Sequence, residues 1–446
     1  MKCSYSCQSN DHLIARRQFL GGITGSFVAG GLGALTTPVF AEQLKQKNMR
    51  VLVVYMSGGL SQLESWDPKP KTDTGGPFRA IQTAVPGTQI CELLPKTATH
   101  MDKLSLIRSI NTKNNDHGKG NYQMTYGRNQ MPGTEYPHLG AVCAKALERS
   151  DNPLPGHIKV PGGSRGSDAA YLGPKYASVG MTGKPPANSE RASNLTESAD
   201  ELRNAFRRKV NDRFSLQRRT AETDVYTQSY EQALQLMEKR DVFDVDKEPA
   251  SEHEKYGQSD LGKHCLMARR LLENDIPFVQ VSHSNYDTHN ENFNFHLEQL
   301  GEFDQAFSTL VNDLHERGML ETTLVVVMSE FGRTPRINAR FGRDHWGSAW
   351  SVCLGGANVQ PGAIIGKTNE NGTQVVDREV DHGHLFHTYL SAVGLESLGS
   401  FDIGGREQPM ADPARSPISE LIVKPHAILP SNSDFSGDAF SERTSA

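Results

Sequence analysis

The sequence predicts an α/β fold, a mainly parallel sheet flanked by helices and carrying helical and loop insertions. Three observations predict it. Apolar, β-branched runs at 50–56, 276–281 and 323–328 have the length of buried strands. Segments of helical periodicity separate them, and strands alternating with helices imply parallel pairing with both faces covered. Each run breaks into glycines, acids, histidines or arginines, the composition of loops at the carboxyl ends of strands, where such sheets bind ligands.

The order of segments follows from the same signals. With 446 residues the chain exceeds the ~250–300 at which a single core stops growing, so one large domain with insertions, or two lobes, is expected. Residues 1–41 read as an export signal: Arg16 and Arg17 precede a short, glycine-rich apolar run that ends in small residues at Val39 and Ala41. This has the form of a twin-arginine signal cut after Ala41, and it places the mature protein in the periplasm or outside the cell. Without Lys2, Arg16, Arg17 and Asp11, the 47 basic and 52 acidic residues become 44 and 51, a formal charge of −7. No basic face for nucleic acid is implied, and no segment of the mature chain is apolar enough to span a membrane. Cys91, Cys143, Cys265 and Cys353 are scattered without a Cys-x-x-Cys pair, which argues against a thiolate zinc site.

The strand at 50–56 opens the mature chain and turns at Gly58 and Gly59. A helix and a strand are expected over 97–110, followed by the polar segment "NTKNNDHGKGNYQMTYG". Residues 150–275 are expected as an insertion, first loops rich in Gly, Pro and Ser, then helices from about 198, where Leu202, Phe206, Val210 and Phe214 recur every fourth residue. The strand at 276–281 ends in "SHSNYDTH", a long helix follows, and the strand at 323–328 ends in "SEFGRT". The segment "WSVCLGG" and the helix entered by "DHGHLFHTYLSAVGL" complete the main domain, expected over 49–425, before a flexible C-terminal tail at 426–446.

Metal-binding side chains gather at these rims: Glu64 and Asp67, Asp116 and His117, Asp287 and His289, Glu330, Asp344 and His345, and Asp381, His382, His384 and His387. Mixed imidazole and carboxylate ligands suit zinc, manganese or iron, whereas calcium and magnesium want oxygen alone. An isolated Asp-x-His is more often a turn or cap, but several such groups after different strands point to a shared divalent-metal site. Arg333, Arg336 and Arg343 either pair with Glu330 and Asp344 or clamp a tetrahedral oxyanion.

"CLMARRLLENDIPFVQVSHSNYDTHNENF", "GMLETTLVVVMSEFGRTPRIN", "GRDHWGSAW" and "SGGLSQLESWDPKP" resemble the bacterial domain of unknown function 1501 family. That family is grouped with the alkaline phosphatase and sulfatase clan. The resemblance implies an alkaline phosphatase-like core whose metals activate a nucleophile and hold a phosphate or sulfate oxygen. By matching segments it implies Asp287 and His289 as ligands, Glu330 in the place of the clan's Asp, Phe331 in the place of its His, and His345 as a further ligand. The departures are as informative. Met56 and Ser57 stand where the clan has its first metal-binding Asp, so Glu64 or Asp67 would have to substitute, and His117 occupies the position of the usual nucleophile.

Two function classes result. The first is an exported, metal-dependent hydrolase of an anionic ester, with a sulfated or phosphorylated carbohydrate among its possible substrates. In it Asp287, His289, Asp344 and His345 bind metal, with Asp67 and His384 as further candidates. Glu330 is a ligand or general base, Arg333 steadies the anion, and His117 is a nucleophile, a general acid or base, or another ligand. The second is a degenerate, non-catalytic member that binds anionic polysaccharide or a partner protein. An aldehyde-dependent sulfatase is excluded by the lack of a Cys-x-Pro-Ser-Arg type segment, since Cys143 lies in "VCAKALER", which reads as a helix.

Overall fold

The computed structural model of the chain describes residues 47–149, 152, 154–162, 168–186, 189–218 and 221–423; the expected export signal and C-terminal tail lie outside them. Its centre is an eight-stranded sheet built from β1 (Arg50–Met56), β2 (Leu104–Ile110), β3 (His157–Val160), β4 (Val179–Gly180), β5 (Phe278–His283), β6 (Thr323–Met328), β7 (Trp350–Gly355) and β8 (Ile364–Ile365). The spatial order is β8, β2, β7, β6, β1, β5, β3, β4. β1 pairs in parallel with β5 and β6, whereas β7 runs antiparallel to β2 and β6. The mixed, mostly parallel sheet flanked by helices is the fold class that the alternating pattern predicts.

β1 shows why this pattern folds this way. Its residues alternate between two cores: Leu52 and Val54 face one, Val51, Val53 and Tyr55 the other. On the first side lie α5 (Asp260–Glu273) and α6 (Asn292–Glu316), which contribute Leu266, Leu272, Leu300, Phe303 and Phe307. On the second lie α2 (Leu139–Leu147) and α7 (His382–Ala392), through Val142, Cys143, Leu385 and Leu390. Each such side chain, fully buried, contributes about 1.5–3 kcal/mol.

Two segments differ from the sequence reading. Residues 117–126, read as a polar segment, form helix α1 (His117–Tyr126), capped by Asp116 and ended by Gly127 in the left-handed region at φ 65°. Its composition lacks an apolar stripe, so only the cap residues betray it. Within 150–275, β3, β4 and α5 belong to the central sheet and its cover, so what stands outside these layers is narrower than the expected insertion. It consists chiefly of α3 (Glu197–Arg218) and α4 (Ala221–Glu238). The β3 sequence "HIKV" is only four residues long and lies between Gly156 and Pro161, too short for a periodicity to declare itself.

Candidate metal centre

The register brings three strand ends to one level: Met56 of β1 lies beside His283 of β5, and Tyr55 beside Met328 of β6. The loops that follow therefore meet. Gly58, at φ 115°, lets the β1 loop close on the β5 loop, where an added Cβ would lie 2.5 Å from the Asp287 amide nitrogen. Gly120 does the same for α1, where a Cβ would lie 2.8 Å from the Glu330 carbonyl oxygen. His345 is carried by a two-residue strand paired with Gly332–Arg333.

Asp287 is the hub. Its Oδ1 lies 2.7 Å from Arg333 Nη2, 3.1 Å from His345 Nε2 and 3.1 Å from His289 Nε2, and its Oδ2 lies 3.2 Å from His117 Nε2. Burial acts to raise the Asp287 pKa, but the bonds from Arg333 and His345 more than reverse it and hold the carboxyl well below the usual range. Each of the three rings is fixed from behind. His345 Nδ1 donates to the Asn115 carbonyl at 2.8 Å, His289 Nδ1 to Asp344 Oδ1 at 2.8 Å, and His117 Nδ1 to Glu330 Oε1 at 2.8 Å. The bond to Glu330 raises the His117 pKa, and the bond from His289 lowers that of Asp344.

Carbonyl and carboxylate oxygens only accept, so each Nδ1 carries a proton and each Nε2 is turned toward Asp287, where it either donates to the carboxylate or offers a lone pair to a cation. The consequence is visible in two contacts. His289 Nε2 and His345 Nε2 stand 3.0 Å apart, close enough for one to donate to the other or for both to share a cation. His117 Nε2 is buried and makes no hydrogen bond of proper geometry, because its approach to Asp287 is close but misdirected. Ligand atoms of His117, Asp287 and His345 all lie within 4.8 Å of one another. A cation, or an extra proton, resolves this convergence; the donor set fits a divalent metal.

Each remaining sequence candidate has a definite place. Glu330 is buried, accepts from the Gly58 amide at 2.8 Å as well as from His117, and so orients the ring rather than lying open to substrate. Asp344 plays the same part for His289. Arg333, expected to steady an anion, is wholly buried, and besides Asp287 its guanidinium donates to the carbonyls of Gly58, Gly59 and Arg343, which leaves it positioning the hub. Asp67 and His384 are not brought to this group. Asp67 is buried with Lys69 at 3.0 Å, Arg108 at 3.7 Å and Thr368, and His384 closes a capping box with Asp381 at the start of α7. Glu64 forms a fully buried pair with Arg343 at 2.7 Å. Cys143 lies in the core within α2, where burial pushes its thiol up.

Sequence reasoning named Phe331 only as occupying the place of a ligand, and it missed the Asn115 carbonyl and Tyr55. Phe331 stacks on His345 with ring centroids 4.4 Å apart, and the Asn115 carbonyl fixes the same ring's tautomer. The buried Tyr55 hydroxyl, held by Asn121 at 2.8 Å, faces Glu330; its burial, with the Glu330 charge second, pushes its pKa well up. The Phe331 position carried a signal, an aromatic among ligands, but a backbone carbonyl leaves none.

Together, fold and cluster define an α/β protein with an imidazole and carboxylate centre at the carboxyl rim of its sheet. The chain belongs to the family described as Protein of unknown function (DUF1501), whose model matches residues 48–422. No curated protein matches the chain. Among solved structures, it is similar to Ps i-CgsB at 10% identity and a TM-score of 0.39, covering 78% of this chain and 72% of that one. The C-terminal periplasmic domain of EcEptC from Escherichia coli, in complex with Zn, matches at 10% identity and a TM-score of 0.38, covering 78% and 82%. The PsFucS1 sulfatase from Pseudoalteromonas sp. matches at 13% identity and a TM-score of 0.37, covering 86% and 78%.

Proposed function

We propose that the chain is an exported, divalent-metal-dependent hydrolase acting on an anionic ester of phosphate or sulfate. The observation that carries this reading is the convergence of three imidazole Nε2 atoms on Asp287, each ring fixed at Nδ1 by an oxygen acceptor. Such mixed donors suit zinc, manganese or iron. When bound, the cation supplies Lewis-acid polarisation of an ester oxygen. His117, Asp287 and His345 would hold it, and His289, in contact with two of the three, is placed to join them. Asp344, Glu330 and the Asn115 carbonyl keep the Nδ1 atoms protonated and the Nε2 atoms free. In this reading His117 is a ligand rather than the nucleophile, and water is the attacking group. The substrate anion meets the positive end of α1, whose first residue is His117 and whose first turn presents the exposed Lys119.

Export rests on Arg16 and Arg17 ahead of the short apolar run. Among the described residues no helix is long and apolar enough to cross a membrane. A second reading, a non-catalytic binder of anionic polysaccharide or a partner protein, is favoured by one observation: Arg333 and Glu330 are both committed to internal partners.

A screen of aryl phosphates, phosphodiesters and sulfates with added manganese, zinc or iron separates these readings. The expected result is metal-dependent turnover that falls at least ~10²-fold in both His117→Ala and His345→Ala. Metal bound without turnover selects the binder, and turnover unchanged in both variants overturns the site.

A further inference from the structure

We propose that helix α3 docks the protein onto an anionic lipid surface. The helix is turned the opposite way from an ordinary surface helix. Its inward positions are polar: Asp200, Asn204, Arg207 and Asn211 are the less exposed residues of the segment. They face α4, where Arg207 and Arg208 hold Glu231, the Arg207 guanidinium lies 4.0 Å from the Tyr230 ring centroid, and Asn211 donates to Thr227 at 3.2 Å. The outward row is apolar, with Leu202 72%, Phe206 69%, Val210 48% and Phe214 47% exposed. At 1.5 Å per residue this row runs for about 18 Å. Leaving a contiguous apolar row in water costs free energy that a partner surface recovers.

The charges around the row identify the partner. At 100° per residue, Arg203 and Arg213 project within about 40° of the row's centre and Lys209 within about 80°. Glu197, Glu201 and Asp212 project about 140–160° away, on the other side of the helix. The basic rim therefore belongs to the apolar face, although Arg203 also holds Asp200 at 2.8 Å, and it stands out on a chain whose formal net charge is −5. An apolar row with basic flanks, aromatics in the row and acids turned away is the pattern of a helix lying in a membrane interface. A second copy related by a two-fold axis through the row would set basic rim against basic rim, which anionic headgroups do not.

The test is co-sedimentation of the full chain with vesicles of phosphatidylglycerol or of phosphatidylcholine. The expected result is binding to the anionic vesicles that weakens as salt rises, with little binding to the neutral ones. Replacing Phe206 and Phe214 by Glu should weaken it at least tenfold, as should charge reversal of Lys209 and Arg213, while metal content and ester hydrolysis stay unchanged. Residues 1–41 are present in every variant, so binding that survives Phe206→Glu with Phe214→Glu belongs to another segment and overturns the proposal. Equal binding to both lipids overturns it, as does a wild-type dimer that these changes dissociate without any vesicle binding.

Discussion

Two clusters a few residues apart in sequence use the same side-chain types to opposite ends. In one, Glu64 and Arg343 face each other with both side chains fully buried. Arg343 donates to both Glu64 oxygens, and its remaining donors reach the carbonyls of Thr74, Thr334 and Pro335; Asn292 adds a further donor to Glu64 Oε2 at 3.0 Å. Every group has a partner, so the cluster is closed and structural. In the other, Asp344 and His345, the very next residues, join Asp287, His289 and His117, where three Nε2 atoms crowd one carboxylate and that of His117 is left without a well-directed hydrogen bond. Residue type does not separate structure from chemistry here; whether the hydrogen bonds balance does.

The contrast breaks most visibly at Arg343. Arg343→Ala strands the Glu64 charge in the interior and should cost about 3–5 kcal/mol, read from urea unfolding, while molecules that remain folded keep their metal. At the other cluster, Glu330→Gln removes the carboxylate behind His117 and should weaken metal affinity ~10–100-fold, measured by competition with a chelator, with stability affected less than by Arg343→Ala.

Acid titration should separate the clusters in one experiment. Metal binding requires unprotonated Nε2 atoms, so it should fail as pH drops through the histidine range near ~6.5, earlier for His117, whose pKa Glu330 raises. Burial alone would raise the Glu64 pKa, yet the charge of Arg343 leaves it lowered. Its contribution to stability is therefore present above its unfolded pKa of ~4.3 and is lost only as pH falls further, through the folded value. Metal release should precede unfolding. The two events occurring together would show that the clusters are not independent. The smallest effect is expected from His384→Ala, which removes one arm of a capping box and should leave metal content unaltered; loss of metal there would enlarge the site.

The parts of this picture legible in sequence are those with a period or a chemical type. The strands at 50–56 and 323–328 stand where the apolar runs put them, because buried parallel strands need no alternation to be seen. Asp287, His289, Asp344 and His345 stood out as reactive residues after strands, and they do meet. Asp67 and Glu64 stood out equally, but Arg343 absorbs Glu64, and Arg108 together with the neighbouring Lys69 absorbs Asp67; the two arginine pairings span long stretches of chain, and no local pattern encodes them. Arg333 looked like an anion clamp because side-chain chemistry suggests carboxylate or phosphate partners; most of its actual acceptors are backbone carbonyls. The inverted face of α3 was visible as a fourfold spacing, but only contacts with α4 reveal which way it points.

The central claim is that the three imidazoles converge on Asp287 to hold a cation. Elemental analysis of the purified full chain, beside Asp287→Ala, tests it most directly. The account predicts a divalent transition metal near stoichiometry in the wild type and its loss in Asp287→Ala, with the circular dichroism spectrum unchanged. A wild type that stays metal-free after loading with zinc, manganese and iron, or an Asp287→Ala protein that retains as much metal, would contradict it.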